Sequence, residues 1–280
     1  MKVRMFFVVV LLSHGLFLAP FVEHMATRPV EVRLGYIPHP QILKMTTADH
    51  DLLVAGAAVV NILFYYGTVV DKALKNVIIR PEYQNMYRTV VTAVRLDPYN
   101  QDAYYFAQAA FTWELGRIRE VNKILEEGLR YRTWDPWLPF YLGFNHSYFL
   151  KDYAAAARYM KIAAERSGNP LFAKLAARYF YEAKQTDLGL VFLDTMIAQS
   201  RDEAVKKTYK MRRDALWAIS QLEEALSAFT ERFGYPPHQL QELVSAGLIE
   251  KLPVDIYGGS FYLDSAGRVR STSKLANPKH

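Results

Sequence analysis

The sequence predicts an all-α chain: an α-solenoid of three to four helix pairs behind an N-terminal apolar helix, with a small β-hairpin at the C-terminal end. Three observations predict it. Asp97-Pro98, Asp135-Pro136 and Asn169-Pro170 recur 38 and 34 residues apart, the spacing of helix-pair repeats. Each pair stops one helix and admits the next, because proline cannot donate to the helical ladder and pushes the residue before it out of the helical region. Between the last of these turns and the one before it, Tyr153, Ala156, Ala157, Met160, Ala163 and Ala164 fall at i, i+3, i+4, i+7, i+10 and i+11, one stripe of an amphipathic helix. Only beyond Gly234 does the pattern change, to short apolar segments set around Gly258-Gly259 and Asp264-Ser265-Ala266-Gly267.

Composition agrees with a folded chain. Of 280 residues, 51% are apolar, enough for a sizeable core with a small appendage. The net charge is +6, but 34 basic residues face 28 acidic ones, so no general attraction to polyanions follows. The absence of cysteine excludes disulfides, thiolate zinc sites, thiol nucleophiles and lipidation of an N-terminal cysteine.

In chain order, residues 1–26 read as a signal or membrane-anchor segment. Lys2 and Arg4 precede the apolar run Met5 to Val22, about as long as the shortest membrane spans, and no small-x-small cleavage site follows it. Positive-inside bias then puts the rest of the chain across the membrane: a bacterial inner-membrane protein with one N-terminal anchor and its bulk in the periplasm, or, if the signal is cleaved, a soluble periplasmic one. That address leaves no nucleic acid within reach. Residues 27–47, with Pro29, Pro38 and Pro40, read as an extended connector. The repeat domain, 48–233, opens with "DLLVAGAAVVNILFYYGTVVDKAL", apolar almost all round and bracketed by Asp51 and Asp71, which predicts a helix buried on more than one side. It closes with one long helix from Glu203 to about Phe233, stopped by Gly234 and Pro236-Pro237, whose basic run Lys206 to Arg213 reads as a solvated face. Residues 234–280 form a helix-plus-hairpin element, with strands at Phe261 to Leu263 and Arg268 to Ser271.

Two stretches carry family resemblances. "LDPYN" (Leu96 to Asn100) after Ala93, and "LGFNHSYFLKDYAAAARYMKIAAE", resemble the tetratricopeptide repeat family. Leu142 and Gly143 match its close-packing pair, Lys151-Asp152-Tyr153 its inter-helix turn, and Ala156 and Ala163 its small residues. Gly116 anchors another unit, and the resemblance covers roughly Asp71 to Ser200. It implies stacked helix pairs with a concave protein-binding face, and specifies packing rather than chemistry. The tail stretch "LPVDIYGG" resembles the C-terminal segment of type II secretion major pseudopilins; Ile256 stands where that family has proline, and the N-terminus lacks its processing signature.

No catalytic constellation emerges. None of the seven histidines stands at ligand spacing from another on a common helix, which leaves no metal site or cofactor to expect. His146, among aromatics, reads as a packed or groove-lining histidine. Glu126-Glu127 and Glu223-Glu224 are helix neighbours whose side chains diverge. The expectation is therefore a non-enzymatic scaffold in envelope assembly, secretion or pilus-related machinery, binding a protein segment. By the repeat register its groove is lined by Phe106, Ala110 and Trp113, then Phe140, Phe144 and Ser147, then Ala177, Phe180 and Tyr181. Two alternatives stay open: a structural subunit acting by self-association, and a carbohydrate-active or carbohydrate-binding helical protein. Sequence fixes neither the partner nor the oligomeric state.

Overall fold

The computed structural model describes residues 2–27, 32–75, 80–114 and 116–275. It is mostly helical, with one two-stranded sheet among the described residues. Helix α1, Lys2–Thr27, is continuous through Pro20, and its Phe6, Phe7, Leu11 and Phe17 are exposed. The expected extended connector holds a short helix instead, α2 at Pro40–Thr46. Pro40, with its φ already suited to a first helical turn, starts it, and the His39 ring nitrogen accepts from the Gln41 amide. Residues 28–31 of that connector lie outside the described residues.

Helix α3, Asp51–Leu74, differs from expectation in one respect. Only one face is buried, through Ala55, Ala58, Val59, Ile62, Tyr65 and Val69, while Leu53, Val60, Leu63 and Phe64 are exposed. Among the described residues α3 is also the helix long and apolar enough to cross a membrane, and it is not the N-terminal one.

From there the helices pack on one another in chain order. They are α4 (Tyr83–Leu96), α5 (Gln101–Phe106, continued by the π-helical Ala107–Glu114), α6 (Ile118–Tyr131), α7 (Trp137–Asn145, continued by the π-helical His146–Leu150), α8 (Tyr153–Ser167), α9 (Pro170–Glu182), α10 (Thr186–Gln199) and α11 (Glu203–Phe233). The three proline turns share one construction. Asp97, Asp135 and Asn169 each accept, through the side-chain oxygen, the amide two residues on, at 2.9, 2.8 and 2.9 Å. This side-chain turn satisfies amides that the start of a helix would leave unpaired. The far ends of α5, α7 and α9 are alike too, each followed by a residue in the left-handed region: Gly116 (φ 62°), Lys151 (φ 55°) and Lys184 (φ 58°).

Small residues set the close approaches. A Cβ on Gly143 would lie 2.8 Å from Met160 Cγ, and one on Gly128 would lie 2.5 Å from the Tyr104 ring. The α8 stripe is buried as its spacing predicts, at Ala156, Ala157, Met160, Ala163 and Ala164. The apolar residues form two clusters, one joining α3 to α7, the other joining α8 to α11 with the C-terminal element. In that element α12 (Gln241–Ser245) precedes strands β1 (Phe261–Leu263) and β2 (Val269–Ser271), antiparallel with Tyr262 opposite Arg270. The tail packs into the helical core through Leu240, Leu243, Tyr257 and Val269. Buried Asp255 fixes its turn, accepting from the Ser271 and Ser273 hydroxyls and the Tyr257 amide.

Candidate functional site: an aromatic face on the first helices

The nine residues expected to line a groove fall into three groups. Phe106 and Ala110 are buried, because α3 covers that end: the Phe106 ring meets Tyr66 edge-on at 5.6 Å. Ala177, Phe180 and Tyr181 are buried at the other end. Phe180 packs on Phe192, and the hairpin closes over Tyr181, whose hydroxyl donates to the Val269 carbonyl while Arg270 lies over its ring at 5.3 Å. Ser147 is buried and donates to the Phe144 carbonyl. Trp113, Phe140 and Phe144 remain on an accessible surface, in the middle of the stack.

Around those three the structure assembles residues outside the predicted set. Trp137, Phe140, Phe144 and Tyr148 stand at i, i+3, i+7 and i+11, a single stripe along α7 and its π-helical extension. Phe144 and Tyr148 stack at 5.4 Å with their planes 9° apart, and Trp113 reaches across from the π-helical extension of α5 to lie 5.9 Å from both and 5.3 Å from Phe149. On the other side Phe140 stacks on Phe172 of α9 at 4.9 Å. Trp113 is 57% exposed and Tyr148 54%, while Phe140 and Phe144 are half-buried against the core, so the cluster bridges core and solvent. The signal that would have found Trp137 and Tyr148 was present in "WLPFYLGFNHSY".

A buried amide network holds this face in register. Gln108 and Asn145 exchange two hydrogen bonds, and Asn145 donates a further one to Asn122 at 2.8 Å. The network ties the π-helical part of α5, which carries Trp113, to α6 and to α7, which carries Phe144. Lys151 Nζ lies 5.5 Å from the Tyr148 ring, a cation at the rim of the patch.

Acid–base chemistry is sparse there. His146 packs against Tyr159, and its Nδ1 stands 3.5 Å from the Asp152 carboxylate. The Tyr159 hydroxyl donates to Glu126 at 2.9 Å; burial, and then that bond to a carboxylate, push its pKa up to about 12. Elsewhere Arg212 departs from the solvated face expected of the basic run. It is 7% exposed, lies over Tyr257 at 5.2 Å, and its Nε and Nη1 have no hydrogen-bond partner among the described residues. Burial depresses its pKa.

Compared with known proteins, the chain matches no family model, no curated protein and no solved structure.

Proposed function

We propose that the chain is a tetratricopeptide-like scaffold of the bacterial envelope, anchored by α1, whose aromatic face on α7 holds a segment of another protein. The observation that carries this reading is the pair of exposed rings, Trp113 and Tyr148, set on half-buried Phe144, from α5 and α7. Large rigid rings give much contact area for little lost side-chain entropy, which is why aromatics dominate binding energy at protein interfaces. The solenoid part of the reading draws support from the starts of α5, α7, α9 and α11, spaced by 36, 33 and 33 residues. A periplasmic address, and a role in envelope assembly or secretion, rest on the cationic apolar N-terminus and the tail.

The test is site-specific photo-crosslinking in native membranes, with the reactive residue at 113 or 148 and, as a control, at exposed Val191 on α10. The reading expects one heterologous protein adduct from 113 and 148, absent from 191 and lost in Phe144→Ala. An adduct of twice the chain's mass would replace partner binding by self-association, and no site-dependent adduct would remove the reading.

A further inference from the structure

The geometry points to a second membrane contact: we propose that the outer face of α3 lies in the headgroup and acyl-chain boundary of a bilayer. Its location beside the membrane rests on the anchor reading of α1. The face is made by Leu53, Val60, Leu63 and Phe64, with Gly67 between them and the far end; Phe64 is 74% exposed and Val60 50%. The opposite side, including Ile62, Tyr65 and Val69, is packed inward. From Leu52 to Val70 there is no charged residue at all. At about 1.5 Å per residue that uncharged stretch is about 28 Å long.

Two occupants could cover such a face, a second copy of the chain or lipid, and the structure favours lipid. A second copy pairing through α3 alone would offer a strip about 36 Å by about 10 Å, roughly 360 Å² per partner, less than half of the roughly 800 Å² usual for a stable interface. Nor can α3 cross the bilayer in this fold, although its length and composition would allow it. Its neighbour α4 exposes Gln84, Arg88 and Arg95, which hydrocarbon would not tolerate. A helix lying in the plane meets both conditions, with its packed side toward α4 and its apolar side submerged. Ile42, Lys44 and Met45 of α2, which packs on α4, are exposed as well, and Lys75 beyond α3 is an exposed cation paired with Asp71 at 2.9 Å.

A chain without cysteine allows single spin labels to be placed at will. The full chain would be reconstituted in phosphatidylethanolamine and phosphatidylglycerol vesicles, labelled in turn at Phe64→Cys, Val60→Cys, Leu11→Cys on α1 and Val191→Cys on α10. All four positions are exposed, so the fold should tolerate them. Collision with oxygen, which concentrates in lipid, is compared with collision with a water-soluble nickel chelate. The proposal expects oxygen contact at 60 and 64 several-fold above the nickel contact, with the reverse at 191. Nickel contact at 60 and 64 equal to that at 191 would overturn it in favour of water. Low contact with both reagents would overturn it in favour of a protein cover. The label at 11 reports the anchor separately: lipid there with water at 64 removes only this proposal, and lipid at 64 without lipid at 11 removes only the anchor.

Discussion

Gln108 and Asn145, 37 residues apart in sequence, hold each other through two hydrogen bonds of 3.0 and 2.9 Å inside the helix stack. Neither side chain has water to turn to. Asn145→Leu therefore leaves Gln108 and Asn122 without their amide partner, at about 1–3 kcal/mol for each group stranded. Urea unfolding should show the loss, and in a double-mutant cycle Gln108→Leu should recover part of it. Additive single effects would mean that the pair is not coupled.

Gly128 faces the Tyr104 ring. In Gly128→Ala the new methyl would sit 2.5 Å from ring carbons that are themselves enclosed. The better helix propensity of alanine, about 1 kcal/mol, is outweighed by overpacking that costs about 1–3 kcal/mol. A lowered denaturation midpoint checks this.

Much of this arrangement could be read from the chain. The three Asx-Pro turns, the alanine stripe of α8, the bounds of α11 and the hairpin all follow from local chemistry: a side-chain cap, a period of 3.6, a glycine stop, a turn between short strands. The groove did not follow in the same way. Phe106 and Tyr181 are buried because α3 and β2 come from distant parts of the chain to cover them, and helical register carries no record of such a cover. Arg212 eluded the sequence for the same reason: Tyr257, the ring beneath it, belongs to the tail.

Among the described residues no carboxylate pairs with buried Arg212, and the Tyr257 ring at 5.2 Å is the compensation it has. Replacing even a paired buried ion by apolar side chains of similar volume is often neutral or stabilising by about 1–4 kcal/mol, and an unpaired one has less to lose. Arg212→Met should accordingly leave the thermal midpoint unchanged or raise it; a clear drop would mean that the guanidinium is satisfied in solution.

Docking of the hairpin should weaken in acid. Asp264 accepts from the Arg268 and Ala266 amides and from Arg270, which in turn holds Glu182 at 3.0 Å. The Arg268 amide first, and then Arg270, bring its carboxyl down to about 2 against the opposing effect of burial. The folded pKa lies below the unfolded one, so the contribution is whole above about pH 4 and is lost as pH falls toward 2. Amide exchange in β1 and β2 should accelerate over that window, and Asp264→Asn should reduce the dependence to the share of Asp255, whose carboxyl is also held below its ordinary value, against burial, by the Ser271 and Ser273 hydroxyls.

Trp113 is 57% exposed, and what it supports is its ring contacts with Phe144, Tyr148 and Phe149. Trp113→Ser should cost about 1–3 kcal/mol of stability and leave the chain folded, while abolishing the crosslink formed from position 148. Unfolding of the chain would assign the indole to the architecture instead.

The stack is stoppered: α3 sits over Phe106 at one end and the hairpin over Tyr181 at the other. Arrays of helix pairs ordinarily lengthen or shorten by duplicating or deleting a unit, and so drift in the size of what they hold. Here an added unit would have to displace a plug whose side chains are already committed to a particular neighbour. On the proposed scaffold reading, the window above α7 is therefore a fixed gauge, and a change in the segment it takes comes by exchanging its rings one at a time.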